Sequence, residues 1–276
     1  MTATYFDTHC HLNFKRFNKT LKEVVSQANA TGVLYLVVPG TDGTSSRKAV
    51  EMTGEFEHVY AAVGIHPHHV YEVKSEQDTK QQLAEIEKLL LSKKVVAIGE
   101  VGLDRHEYEN TKYADYTISQ GFIQKQVELL QKQIELALRY EKSLILHNRE
   151  AKKELLPFLT RIWDFRLEKR SVFHCCEADA ELLSFAKEHN MYIGIDGDIT
   201  FDADKQSFIR EVPLEMLVLE TDSPFLLPEP LKSQKLYPNT PGNIPLIGAY
   251  VAKVKGISIE DVAKQTTENA KALFKI

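Results

Sequence analysis

Val95-Val96-Ala97-Ile98-Gly99-Glu100 is followed by the amphipathic run from Val127 to Leu138 and then by Ser143-Leu144-Ile145-Leu146-His147. The outer pieces are short, almost wholly apolar and end on a polar residue, as strands buried on both faces do. Between them Val127, Leu130, Ile134, Ala137 and Leu138 recur at helical spacing, with lysines and glutamines on the opposite face. A strand, a covering helix and a second strand make one crossover unit, which places the two strands parallel. Working outward, similar apolar segments stand at Tyr5–Asp7, Val33–Val38, Val59–Ile65, Val95–Gly99, Ser143–Leu146, Ser171–Phe173, Met191–Ile195 and Met216–Leu219. Eight such units predict an α/β fold closed as a TIM (β/α)8 barrel. An open doubly wound sheet is the weaker alternative, because no Gly-x-Gly-x-x-Gly turn follows the first strand.

The 276 residues suit a single domain over 1–276, since no proline- or glycine-rich linker divides them. With 43% hydrophobic and 26% charged residues the chain reads as globular. No apolar run is long enough to cross a bilayer and no signal-type leader opens the chain, so a cytoplasmic location without membrane contact is expected. Cys10, Cys175 and Cys176 make no disulfide framework. A net charge of −5 excludes nucleic-acid binding through a broad positive field, so a phosphate-bearing substrate must be captured locally. Bound divalent cations would supply that attraction. No obligate protein partner is inferred.

Barrel enzymes carry their chemistry at the carboxyl ends of the strands. Five of the eight apolar segments end there in metal-binding residue types: His9 and His11, Glu100, His147, His174, and Asp222 after Glu220-Thr221. On an extended strand His9 and His11 point the same way and Cys10 the other. Each residue alone has a bland explanation, a hydrogen-bonded histidine or a helix-capping aspartate, but six together point to a metal site. Four imidazoles and two carboxylates suit zinc, manganese, cobalt or nickel better than magnesium, which stays in the candidate set. Six ligands are too many for one open tetrahedral ion and enough for two ions sharing Glu100, which favours phosphodiester hydrolysis.

His66 precedes Pro67, which holds it extended and able to be aimed, and His68 lies just beyond. Both are candidate substrate-binding residues, while His69 is expected to face solvent. Asp104, taken as a loop residue, is either a carboxylate that orients a ligand imidazole or a turn residue. Arg149 binds a substrate phosphate or pairs with Glu150 or another first-turn acid of the helix. Cys10 and Cys175 are expected to turn toward the helix layer, and Cys176 to share the face of His174. Trp163 reads as core packing. Two long loops, 104–119 with Tyr108, Tyr113 and Tyr116, and 224–245 with Lys232 and Lys235, are expected over the barrel mouth, the tyrosines as base-stacking surfaces.

The motifs Phe6-Asp7-Thr8-His9-Cys10-His11-Leu12, Gly64-Ile65-His66-Pro67-His68, Ile98-Gly99-Glu100-Val101-Gly102-Leu103-Asp104, Leu146-His147-Asn148-Arg149-Glu150-Ala151, Phe173-His174-Cys175, Glu220-Thr221-Asp222-Ser223-Pro224 and Thr267-Glu268-Asn269-Ala270 run nearly end to end. Together they resemble the TatD family of metal-dependent deoxyribonucleases, within the amidohydrolase-like barrels. The resemblance implies His9, His11, Glu100 and Asp222 on one metal and Glu100, His147 and His174 on a second. It implies that Asp222 orients or deprotonates the attacking water and that His66 stands near the scissile phosphate as donor or general acid. The implied activity is 3'-5' exonuclease-like cleavage of DNA, single-stranded or with accessible ends, with DNA repair as its setting. D-aminoacyl-tRNA deacylation, or hydrolysis of another ester on the same metals, is the alternative. Where the family commonly shows a Ser-Gly pair after Phe173-His174-Cys175, this chain has Cys176-Glu177-Ala178. The related barrels that bridge their metals with a carbamylated lysine at the fourth strand are disfavoured, because Glu100 stands there and Lys93 and Lys94 lie at the strand's other end.

Overall fold

A computed structural model of the chain describes residues 3–73, 75–109 and 116–276. Its strands are β1 Tyr5–Asp7, β2 Val33–Pro39, β3 Val59–Val63, β4 Val95–Asp104, β5 Ser143–Arg149, β6 Ser171–Phe173, β7 Tyr192–Ile195 and β8 Leu217–Leu219. They pair in chain order, all parallel, in one eight-stranded sheet. The seam between β8 and β1 is stitched by Thr8 N–H to Leu219 O at 3.0 Å, Asp222 N–H to His9 O at 2.9 Å and His11 N–H to Ser223 O at 2.8 Å. The barrel expected from the repeating units is therefore observed, and the dinucleotide-type open sheet is not.

Among the described residues, nine α-helices cover the strands: α1 Leu21–Ala30, α2 Gly43–Glu55, α3 Glu76–Leu89, α4 Gln120–Arg139, α5 Lys152–Ile162, α6 Ala180–Glu188, α7 Ala203–Glu211, α8 Ile244–Lys255 and α9 Ile259–Phe274. Alternation along each strand divides the apolar residues between two cores. Leu36, Ile98, Leu144, Leu146 and Phe173 face the helices. Phe6, Val37, Ala62, Ile145, Val172 and Val218 face inward, and Leu273 and Phe274 of α9 join them. The barrel is a packed plug and not a pore, which leaves polar side chains room only at its upper rim.

α4 corrects one reading of the sequence. Its glutamines do not all lie on the solvent face: Gln126 and Gln133 are each 1% exposed. The Gln133 amide accepts from Ile65 N at 2.7 Å and donates to Ile65 O at 3.1 Å. Gln126 does the same to the backbone of Asp104, at 2.9 and 3.1 Å. Each amide thus stands in for a neighbouring strand and satisfies backbone groups that would otherwise be buried unpaired. In this way α4 fixes the exits of β3 and β4, from which His66 and Asp104 project.

Candidate metal centre

β4 is longer than its apolar stretch suggested, and it carries the feature that aims Glu100. Ile98 pairs with Leu144 and Val101 with Leu146, so three steps on β4 match two on β5. Gly99 and Glu100 together stand opposite the single inward residue Ile145, the signature of a β-bulge. A side chain at Gly99 would meet the Ile145 Cβ at 2.6 Å. The bulge turns Glu100 inward against strict alternation and lets β4 continue, so that Asp104 is a strand residue and not the loop residue expected.

Glu100 is 4% exposed and its two oxygens face different partners. On one side Oε2 lies 3.4 Å from His9 Nε2 and 3.5 Å from His11 Nε2. The two imidazole nitrogens are 3.2 Å apart, and Asp222 Oδ1 stands 3.4 Å from His11 Nε2 and 3.8 Å from His9 Nε2. On the other side Oε1 lies 2.7 Å from His147 Nδ1, 3.4 Å from His66 Nε2 and 3.6 Å from His174 Nε2. Every residue proposed from the sequence as a metal ligand therefore reaches one rim.

These spacings suit cations. Ligands about 2.1 Å from one ion stand about 3.0 to 3.4 Å from one another in octahedral or tetrahedral geometry. Around His9 and His11, two imidazole nitrogens and two carboxylate oxygens crowd together, and the buried Nδ1 atoms of both histidines have no hydrogen-bond partner. A proton bridges one such pair at most, whereas a divalent ion satisfies all four atoms. Borderline nitrogen and oxygen donors of this kind suit zinc, manganese, cobalt or nickel.

The second group is built differently. His147 Nε2 meets Asp104 Oδ2 at 3.1 Å, and Asp104 also accepts from the Tyr108 hydroxyl at 2.8 Å and from His106 N at 2.7 Å. His174 Nδ1 meets Glu220 Oε1 at 3.0 Å, the same carboxylate that accepts from Cys175 N. Glu220 is 1% exposed and fits only because residue 194 is glycine, whose Cβ would stand 2.6 Å from the carboxylate. Gly102 is equally constrained: at φ +158, an added Cβ would overlap the His147 carbonyl.

The charges follow from these partners. Burial would lower His147, but hydrogen bonds to Asp104 and Glu100 raise it to about 9. His174 likewise rises to about 10, where Glu220 and Glu100 overcome burial. Burial pushes His9 down to about 4, with the neighbouring charge of His174 adding to the effect. Burial would raise Asp104, yet the bond to His147 holds it at about 2. Glu100 sits well below the usual carboxylate range because His66, His174 and His147 outweigh its burial.

His66 accepts at Nδ1 from His68 N at 3.1 Å, so its neutral ring carries the proton on Nε2, the atom facing Glu100. His68 lines the mouth cavity with Arg149. Arg149 does not pair with Glu150, which instead meets His106 Nδ1 at 2.7 Å. Its guanidinium lies 5.1 Å above the Tyr108 ring and donates to that hydroxyl at 3.2 Å. The cavity encloses about 710 Å³.

Several expectations are corrected here. Cys175 has φ +44, which breaks the strand alternation after His174 and turns this residue to the cavity lining, away from the helix layer. Cys176 does not share the face of His174: it is 2% exposed in the outer core, and burial raises its thiol to about 12, so it does not act as a soft ligand. Cys10 does point away, its thiol directed at Val37 O, 3.5 Å distant. His69 is half-buried at the cavity, 3.6 Å from Glu72, and not turned to solvent. Tyr108 is tied to Asp104, and Tyr116 packs at 5.4 Å from Tyr71 and 5.8 Å from Phe122, so neither is an open stacking surface. Tyr113 lies outside the described residues. Lys232 sits 3.2 Å over the Phe201 ring, and Lys235 occupies a left-handed turn at φ +57. Trp163 packs edge-on to Phe185 at 5.4 Å, as core packing requires.

Two residues escaped the sequence reading. Glu220 follows the inward Val218 by two positions, so alternation alone places it on the lumen side with His174. Asp7, fully buried, accepts from Thr221 Oγ1 at 2.6 Å, Thr221 N at 3.0 Å and His9 N at 3.2 Å, which ties the exit of β1 to that of β8. Its partner lies 214 residues away, and no local pattern announces it.

Comparison with known proteins identifies the family. The family model described as TatD related DNase matches residues 6–275. A protein of Bacillus subtilis named uncharacterized metal-dependent hydrolase YabD is 35% identical over 273 residues, covering 98% of this chain and 99% of the relative. The 3'-5' ssDNA/RNA exonuclease TatD of Erwinia amylovora is 33% identical over 277 residues, covering 98% and 99%. Among solved structures, the TatD homolog YJJV from Escherichia coli K12 superposes with a TM-score of 0.85 at 26% identity, over all of both chains. A histidine-rich, carboxylate-bridged rim on this barrel and a match along almost the whole sequence together place the chain in the TatD family of metal-dependent hydrolases.

Proposed function

We propose that the protein is a two-ion phosphodiesterase that removes nucleotides from accessible DNA ends in the 3'-5' direction. The observation that carries this reading is the division of Glu100, with Oε2 toward His9 and His11 and Oε1 toward His147 and His174. One ion would be held by His9, His11, Glu100 and Asp222, the other by Glu100, His147 and His174. Two such ions would supply the charge that acidifies a bound water and stabilises the attacking and leaving oxygens of an in-line displacement at phosphorus. Around them the side chains of the chain divide the remaining work. Asp222, its side chain 16% exposed at the rim, accepts the proton of the attacking water. His66 offers its Nε2 proton to the scissile phosphate or the leaving oxygen. Arg149, braced on Tyr108, supplies a forked donor for a phosphate oxygen, with His68 beside it. The substrate class draws support from the Erwinia relative, whose name specifies single-stranded DNA and RNA.

Purified protein incubated with 5'-labelled single-stranded DNA and Mn²⁺, Zn²⁺ or Mg²⁺ tests the proposal. A ladder shortening from the 3' end is expected, weaker on blunt duplex. Intact DNA under every ion, together with release of the amino acid from D-aminoacyl-tRNA, would assign the centre to carboxyl esters instead.

A further inference from the structure

Tyr108 and Tyr116 are committed elsewhere, yet the rim carries another aromatic pair. Phe14 and Phe225 both line the cavity and stand 6.2 Å apart at 74°. Each lies three residues beyond a residue of the first cation group and is delivered by a turn. Phe14 N–H bonds to His11 O at 3.1 Å, and Phe225 N–H to Asp222 O at 2.8 Å. Phe14 lies flat on the His11 ring, 4.5 Å away at 18°, and Phe225 stands on edge to the same ring at 6.5 Å.

Both turns are anchored. Asn13, 5% exposed, donates to Pro39 O at 2.9 Å and Ser45 O at 3.0 Å. Asn239, fully buried, donates to Thr221 O at 2.8 Å and Leu226 O at 3.2 Å, on either side of Phe225. A rigid backbone thus presents a ring left 51% exposed, and among the described residues that line the cavity Phe225 is the one exposed large hydrophobic side chain. The charges of the other walls narrow what lies against it. Glu177 and Asp202 line one part of the wall and repel phosphate, while Asp198 is paired with Lys205 at 3.1 Å. Arg149 lies with Tyr108 on another. A strand whose phosphate is held at the rim and by Arg149 meets Phe14 and Phe225 as the aromatic surface of the cavity open to an unpaired base.

We propose that Phe14 and Phe225 form the stacking platform for an unpaired base next to the scissile phosphate, so that the enzyme selects frayed or single-stranded ends without reading base identity. This rests on the nuclease reading above and specifies how that site takes its substrate. Flat aromatic surfaces accept every base, because each has a π-face. The residues flanking Phe225 are Pro224 and Leu226, and the Asn13 amide beside Phe14 is already spent on the backbone, so base edges meet no dedicated donor there.

The test compares a single-stranded oligonucleotide with the same oligonucleotide lacking the base at its terminal residue, for the wild type, Phe225→Ala and Phe225→Trp. The wild type is expected to prefer the base-bearing end about tenfold in kcat/KM, through KM. Phe225→Ala should bring that ratio close to one, and Phe225→Trp should restore it. In parallel, the fluorescence of Phe225→Trp, read against the Trp163 background of the wild type, should be quenched with metal bound by a phosphorothioate oligonucleotide, which resists hydrolysis. A ratio unchanged in Phe225→Ala, or no quenching, would overturn the platform while leaving DNA hydrolysis intact. Quenching without hydrolysis of unmodified DNA under any ion would uphold the platform and sink the nuclease reading. A dimer in sedimentation that Phe225→Ala dissociates would give the patch to a second copy of the chain and overturn the proposal.

Discussion

The two halves of the centre share Glu100 and touch where the His9 and His174 rings stack at 3.5 Å, yet they are supported differently. His9 and His11 come from the exit of β1 and leave both Nδ1 atoms without a hydrogen-bond partner. His147 and His174, from β5 and β6, are each backed by a buried carboxylate, Asp104 and Glu220. Such a carboxylate fixes the tautomer of a ligand imidazole and strengthens its basicity. It also selects the ligating atom: His147 is bonded to Asp104 through Nε2 and so turns Nδ1 to Glu100, while His174 does the reverse. The cost is that these two rings hold protons when no cation is present, whereas His9 stays neutral. The same barrel rim therefore carries His9 in its neutral form beside two histidines that hold protons at neutral pH.

The largest expected effect breaks both halves at once. Glu100→Gln should lower turnover by on the order of 10³-fold and reduce bound metal in both halves, with the barrel still folded by circular dichroism. Loss of a single ion per chain by elemental analysis would show that the halves do not share this carboxylate.

Proton release sharpens the comparison. His147 and His174 lie near 9 and 10, above the ordinary 6.5, so cation binding at pH 7 must displace their protons. Affinity in that half should climb up to about tenfold per pH unit for each proton released, levelling as pH passes 9 to 10. Calorimetry in buffers of different ionisation enthalpy counts the protons, and a value of zero at pH 7 would contradict the assignment. The ion-free protein has the opposite dependence. Because both groups are raised on folding, their contribution to stability is complete below 6.5 and is lost as pH rises through 9 and 10. Melting curves of the EDTA-treated protein should therefore shift downward across that window.

Separating the halves takes a smaller change. Glu220→Gln should weaken metal binding at His174 about 10- to 100-fold and leave the His9 and His11 half loaded. Titration with Co²⁺ followed by its absorption spectrum should resolve one tight and one weakened step, and two equally weakened steps would deny the division. The smallest effect is at the rim. Arg149→Ala should raise KM for DNA several-fold with metal content unaltered, since the guanidinium touches Tyr108 and no cation-cage residue. Unchanged KM would remove Arg149 from substrate binding.

What could be read without coordinates were features written in local periodicity. Short apolar strands alternating with amphipathic helices specify a parallel barrel, because both periods are set by backbone geometry within a few residues. The polar residue types at strand ends specify a cation-binding rim, because a barrel offers buried polar groups only one useful face. What the sequence left open depended on contacts between distant segments. The bulge that turns Glu100 inward is visible only in the register of β4 against β5. Asp104 meets His147 across 43 residues and Glu220 meets His174 across 46, so the backing of these two imidazoles by buried carboxylates is a property of the closed barrel. The left-handed turn at Cys175 and the seating of Phe14 and Phe225 around His11 are of the same kind. Residue identity and spacing determine which chemistry the chain can perform, and only packing decides which atom of each side chain faces the substrate, because a side chain's direction is set by its neighbours in space.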